Sequence, residues 1–179
     1  MKIELHTPRL LLRTYIADDI PELIALIGAR EIAETTLRIP HPYTHADAED
    51  QVRRSQGSED AVRLGVWVEA SSTFVGGVGL RLEMDHHRAE LGYWIGVPYW
   101  GNGYATEAAR ALLQYAFDEL KLNRVYASHV PNNPASGKIL LKLGMRQEGY
   151  LRGHILKWDE YQDLVLYGMV KGDLKTVGM

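Results

Sequence analysis

The residues Trp100-Gly101-Asn102-Gly103-Tyr104-Ala105-Thr106 carry the clearest chemical signal in the chain. Gly101 and Gly103 let the backbone turn sharply and approach a ligand with no Cβ in the way. An apolar stripe begins at Ala105 and marks a helix. The loop therefore presents unpaired N–H groups and the positive end of a helix dipole, a natural cradle for a pyrophosphate. Thr106 adds a hydroxyl donor. Other phosphate motifs fit poorly: no Gly-Lys-Ser/Thr follows at P-loop spacing, and the third glycine of a dinucleotide fingerprint is absent. A plain strand-to-helix turn, with glycines for geometry, is the other reading of the same residues.

Nucleophilic and metal chemistry are poorly served. Cysteine is absent, which excludes thiolate nucleophiles, disulfides and cysteine-ligated zinc. There is no Gly-x-Ser-x-Gly elbow for a serine hydrolase. His41 and His45 stand four apart, but Pro40 and Pro42 argue against a helix that would align them. His86 and His87 are adjacent and would point apart on a strand. All four read as solvated loop residues, and no metal site is expected.

The elements that position the glycine loop follow from periodicity. Leu10 to Arg13 starts as a short apolar strand. Asp18 or Asp19 is placed to cap a helix with the stripe Ile20, Leu23, Ile24 and Ile27; Gly28 ends it or lies inside a longer one. Ile39 to His45, with two prolines, is a loop, and Ala46 to Ser55 a polar helix. Val62, Leu64, Val66 and Val68 alternate with Arg63, Gly65, Trp67 and Glu69, which predicts a strand. Phe74 to Leu82 and Ala89 to Val97 complete an antiparallel meander. Ala105, Ala108, Ala109, Leu112, Leu113, Ala116, Phe117 and Leu120 form one helical stripe. Val125 to Val130 is a strand, Ala135 to Leu143 a short helix with Gly144 as its stop, and Arg146 to Leu156 and Asp163 to Val170 are closing strands. The order predicts a mixed α/β domain, neither doubly wound nor a barrel. With no repeat or long linker, residues 1–179 read as one domain.

On these residues the chain resembles the GNAT acetyltransferase superfamily, in the branch that contains ribosomal-protein N-terminal acetyltransferases. The family's pyrophosphate loop, Arg/Gln-x-x-Gly-x-Gly/Ala, is matched by Trp100-x-x-Gly103-x-Ala105. Trp100 departs from the usual first residue, yet Tyr99 to Ala108 reads as the branch's Tyr-Trp-Gly-x-Gly-Tyr-Ala-Thr-Glu-Ala. The resemblance extends to Thr7-Pro8-Arg9-Leu10-Leu11-Leu12-Arg13, Ala89 to Ile95, Asn133-Pro134-Ala135-Ser136, Lys142 to Met145 and Tyr161 to Leu164, in order along nearly the whole chain. It implies a mostly antiparallel sheet of about six or seven strands with about four helices, splayed between Ala89–Val97 and Val125–Val130. Acetyl-CoA would lie in that gap as cosubstrate. Its pantetheine arm would pair with the backbone near Ile95 to Val97, and its acetyl carbonyl would accept an N–H near Trp94 or Ile95. Gly101, Asn102, Gly103, Tyr104, Ala105 and Thr106 would hold the pyrophosphate.

Acetyl transfer to an amine needs a proton removed from the ammonium, an oxyanion held, and a proton or hydrogen bond for the departing thiolate. Alternation puts Glu90, Gly92, Trp94 and Gly96 on one strand face, and an acid here resembles the general base of some superfamily members. Pairing with Arg88 or with a substrate cation is the plainer role for Glu90. Ser136 matches the branch serine whose hydroxyl protonates the CoA sulfur, where other branches use a tyrosine; capping a helix terminus is its alternative. Asn133 would bind the pantetheine amide, or cap the same short helix. Where the branch carries a glutamate in the next strand, this chain has Ile155, with His154 beside it as a minor candidate base.

Bulk properties agree with this reading. The chain has 179 residues, 46% of them hydrophobic, and a net charge of −3, which argues against a broad nucleic-acid footprint. No apolar run approaches the ~20 residues of a membrane span, and the N-terminus offers no signal-peptide core, so a cytoplasmic protein is expected. The acceptor is expected to be a primary amine, on a small molecule or at a protein N-terminus. Glu31, Glu34, Asp47, Glu49 and Asp50 make the segment that would wall its pocket acidic, which suits a cation; an exposed polar helix is the alternative. A homodimer through the C-terminal strands also accords with the resemblance. A CoA-binding sensor without turnover, or an enzyme using another acyl chain or acceptor atom, are the competing functions.

Overall fold

Alternation along the middle of the chain sorts side chains to two covered faces of one sheet. The computed structural model describes residues 3–174, whose eight strands are ordered β1-β2-β3-β4-β5-β6-β8-β7. They are β1 (Glu4–His6), β2 (Leu10–Arg13), β3 (Ala61–Val68), β4 (Thr73–Glu83), β5 (Arg88–Ile95), β6 (Arg124–His129), β7 (Arg146–Lys157) and β8 (Glu160–Val170). Five helices flank them: α1 (Ile20–Ile27), α2 (Arg30–Thr35), α3 (His45–Gly57), α4 (Tyr104–Asp118) and α5 (Pro134–Lys142). This is a mixed α/β fold, as the periodicity predicts.

On one face Val62, Leu64, Val66, Leu80 and Leu91 pack with Leu112, Leu113 and Phe117 of α4. On the other, Trp67, Phe74 and Trp94 pack with Tyr15 and with Leu23 and Ile27 of α1. The stripe on α4 is therefore a structural anchor as well as a helix signal. We expect Leu112→Ala, at a fully buried position, to cost about 2–5 kcal/mol in urea unfolding; a loss near zero would mean that α4 is not packed as described.

Several expectations are corrected. Two elements are additional: β1, too short for a periodic signal, and α2, a six-residue helix. The sheet has eight strands rather than six or seven. Val97 is not in β5, because Pro98 cannot extend a ladder and Val97–Tyr99 forms a 3-10 turn instead. Asp19 does not cap α1 by hydrogen bond; it accepts the Ile16 N–H at 2.8 Å and binds Arg13 through both oxygens. Gly28 does end α1, in right-handed conformation. Gly144 stops α5 at φ 93°, with its own N–H bonded to Leu141 O and that of Met145 to Leu140 O, a Schellman arrangement.

The pairing changes character at a single junction of the sheet. Every neighbouring pair of strands is antiparallel except β5 and β6, which run parallel and pair only over Arg88–Glu90 and Arg124–Tyr126. Beyond Glu90 the two strands part.

Candidate active site

The parting of β5 and β6 opens a cleft of about 750 Å³. Its wall along β5 has a definite polarity. Gly96 donates its N–H to Val75 O on β4, and Gly77 pairs with Trp94 across that ladder. Alternation then turns the Trp94 N–H toward β4 and the N–H groups of Tyr93 and Ile95 toward the open side. Ile95 O is occupied by the Trp100 indole N–H at 2.5 Å, so its N–H is the group left facing the cleft. Of the two expected oxyanion donors, Ile95 has the orientation. Trp94 lines the cleft with its ring, packed edge-on against Phe74.

At one end stands the glycine loop. Gly101 and Gly103 adopt φ of 80° and 81°, a left-handed conformation that glycine takes without penalty. Gly103 is the N-cap of α4, and no side chain caps the helix; the first intrahelical donor is Glu107, to Gly103 O. The N–H groups of Tyr104, Ala105 and Thr106 are thus left for an anion. Gly101, Gly103, Tyr104, Ala105 and Thr106 all line the cleft, whereas Asn102 does not. Its amide donates to Tyr99 O and Trp100 O and so braces the loop. Val97 likewise does not line the cleft and packs instead against the core cluster that holds Tyr15, Phe74 and Trp94.

The N-terminal Thr7-Pro8-Arg9 motif serves this loop. Glu107 accepts from Thr7 Oγ1 at 2.7 Å, from the Arg9 N–H at 3.0 Å and from Arg9 Nε at 2.7 Å. Burial works to raise the Glu107 carboxyl, but these donors hold it below its ordinary value. Arg9 is left over the Tyr104 ring, beside Gly103. Lys138 and Lys142 of α5 line the cleft as well. Sequence reasoning gave none of the three cations a role, since their placement at the loop and in the cleft is a tertiary fact.

In the cleft, Ser136 Oγ lies 2.8 Å from the Tyr93 hydroxyl. Tyr93 is the residue that sequence reasoning missed; it stands on the opposite face of β5 from Glu90, and only the docking of α5 brings it to Ser136. Burial pushes the Tyr93 hydroxyl up to about 12, with the Ser136 contact opposing, so it remains a neutral donor. Asn133 accepts the Ser136 N–H at 3.2 Å as N-cap of α5 and donates to Thr35 O at 3.1 Å. The capping alternative is the one seen, and it also ties α5 to α2.

Glu90 is buried, at 7% exposure, where the cleft meets a second cavity of about 490 Å³. Its partners are Arg38 at 2.8 Å and Arg81 at 2.6 Å, both on Oε2; Arg88 instead binds Glu83. His154 is exposed in the irregular stretch of β7 and lines the second cavity. The expected acidic wall is not there. Asp47 accepts the N–H of Thr44, the N-cap of α3, Asp50 pairs with Arg53 and Arg54, and Glu34 pairs with Arg30. The segment gives the cleft Ile32, Thr35, Thr36, Leu37, Arg38, Ile39 and Gln51 instead.

Residues 9–146 match the family model described as Acetyltransferase (GNAT) domain. The chain is 30% identical over 172 residues to the protein named Uncharacterized N-acetyltransferase p20 of Bacillus licheniformis, covering 93% of this chain and 96% of that one. It is 33% identical over 87 residues to the [Ribosomal protein uS5]-alanine N-acetyltransferase of Escherichia coli, covering 49% of this chain and 45% of that one. Among solved structures, a GNAT-family acetyltransferase from Bacillus anthracis superposes with a TM-score of 0.86 at 26% identity, over 95% of this chain and 99% of the other.

Proposed function

The chain belongs to the GNAT acetyltransferase family and is an acetyl-CoA-dependent N-acetyltransferase, and we propose that it transfers the acetyl group directly to a primary amine entering beside Glu90. The observation that carries this reading is the wedge between β5 and β6, with the Ile95 N–H in its wall and the uncapped α4 terminus at its end. In this reading Gly101, Gly103, Tyr104, Ala105 and Thr106 surround the pyrophosphate of acetyl-CoA, and the pantetheine arm runs along β5. The Ile95 N–H stabilises charge that builds on the acetyl oxygen. The amine lone pair attacks the thioester carbon, the C–S bond breaks, and Ser136, bonded to Tyr93, gives a proton or hydrogen bond to the sulfur. Glu90, directly or through water, first takes one proton from the ammonium to free that lone pair, and the second proton that nitrogen loses on forming the amide replaces the one given to sulfur.

The acceptor class rests on less. The relative named for alanine acetylation of ribosomal protein uS5 supports a protein N-terminus, while the buried position of Glu90 in the cleft wall supports a small amine. Calorimetric titration with acetyl-CoA, followed by a free-thiol assay across amines and peptides, tests the reading. Binding in the micromolar range with thiol release for one acceptor class is expected. Absence of binding overturns it, and binding with no release for any amine makes the protein a CoA-binding sensor.

A further inference from the structure

The arm of the cleft beside Glu90 holds a cation with no ion pair to balance it. Arg63 lines this arm, and among the described residues it forms no ion pair, with its Nη1 buried and without a hydrogen-bond partner. Burial and then repulsion from Arg54 weaken its hold on its proton, while Asp60 and Asp50 act only from a distance. A guanidinium nevertheless stays charged at physiological pH. Arg63 as a whole is only partly buried, but a buried guanidinium N–H without a partner is costly to a fold, and Nη1 points to a ligand that completes it.

The surroundings agree. Arg63 stands opposite Gly79, and Gly79 opposite Gly92, so a floor without side chains extends from Arg63 across two strands. A Cβ at Gly92 would meet nothing within 4 Å. The next row of the same face carries Arg81 opposite Glu90. Strand spacing separates the Cα atoms of Arg63 and Glu90 by about 12 Å. Arg38 lines the arm as well and shares the single Glu90 Oε2 with Arg81. Both guanidinium groups bond Oε2, and among the described residues no hydrogen bond is made to the other carboxylate oxygen, Oε1. The lysines of the cleft, Lys138 and Lys142, are on α5.

We propose that the acceptor is a small primary amine that also carries a carboxylate or phosphate, its anionic group bound by Arg63 with Arg38 and its ammonium set against Glu90. This rests on the acetyltransferase reading and adds a charge to the acceptor. Arg63 is a specificity residue here, with no part in acetyl-CoA binding.

Matched acceptors test it: alanine against alaninamide, phosphoethanolamine against ethanolamine, and a peptide with a free alanine N-terminus and neutral side chains. Turnover is read by thiol release, and affinity by calorimetry on the CoA-loaded protein. The anionic member of at least one pair is expected to be favoured roughly 10- to 100-fold, the range of a charge-assisted hydrogen bond; which pair shows it separates carboxylate from phosphate. Arg63→Met is expected to abolish that preference through KM, Arg63→Lys to keep part of it, and acetyl-CoA affinity to stay unchanged in both. Because Arg63→Met removes an unpartnered cation, its Tm is expected to equal or exceed that of the parent, which separates loss of specificity from loss of fold. Equal use of both members of each pair, preference for the neutral peptide, no affinity for either anionic amine, or equal losses for both members in Arg63→Met would each overturn the proposal. Failure of acetyl-CoA to bind at all would instead sink the acetyltransferase reading, and is measured separately.

Discussion

Gly103→Val is expected to lower acetyl-CoA affinity by roughly 100-fold or more while leaving the fold in place. The residue adopts φ 81°, and an L side chain there costs about 1–2 kcal/mol. That cost falls on one turn, and the added Cβ would meet only Arg9 Nη2, at an ordinary 3.5 Å. No internal clash therefore forces unfolding. The open space in front of Gly103 is where the pyrophosphate is proposed to approach, so the branched side chain occupies the ligand's place. Losing one or two hydrogen bonds to a charged group costs about 1.5–3 kcal/mol each, which is how the affinity loss reaches that size. Gly101→Ala is the comparison: the same left-handed φ, nothing within 4 Å of its Cβ, and a smaller expected loss. Calorimetry with acetyl-CoA, alongside thermal unfolding, checks both. Affinity within threefold of the parent for Gly103→Val would remove the pyrophosphate from this loop.

The second large effect concerns the hydroxyl pair. Tyr93→Phe and Ser136→Ala are each expected to lower kcat by about 10- to 100-fold, the usual contribution of a general acid, with acetyl-CoA affinity nearly unchanged. Because the two hydroxyls share one hydrogen bond, the double variant is expected to lose little more than the worse single one. Tyr93, raised to about 12 by burial, keeps its proton at every pH below that value, so its ionisation should leave no limb in a kcat profile between about pH 6 and 10. Loss of affinity with kcat unchanged would reduce Ser136 to a residue of the α5 turn, and additive losses would separate the two hydroxyls.

The elements were largely legible because they answer to local rules. The stripe on α4, the alternation of β3 and the glycine stop of α5 each express contacts with a uniform partner, the core. The additional α2 and β1 were not legible, since six and three residues carry too little period to stand above their neighbours. Val97 went astray for a related reason: its type suits a strand, and only the turn imposed by Pro98 removes it.

The site divides along the same line. Gly101 and Gly103 were readable because a left-handed turn before a helix is a property of the chain's own backbone, and their residue type announces it. Composition also told correctly that residues 31–50 are acidic, but not where the acids point. In α3 the buried positions are Ala48, Val52 and Ser55, so the helical period turns Glu49 to solvent and leaves Asp50 to Arg53 and Arg54. The cleft receives Arg38 instead.

By itself, then, the sequence determined most of the elements, the left-handed glycine loop and the family, all of which depend on residues close together in the chain or on their order. The tertiary structure alone decided that Tyr93 meets Ser136 across 43 positions, that Glu90 is held by Arg38 from 52 positions away, and that Arg63 is left without a partner. Those outcomes depend on which strand faces which helix. A charge or hydroxyl acquires its role from the groups that surround it, and only the packing of distant segments supplies them.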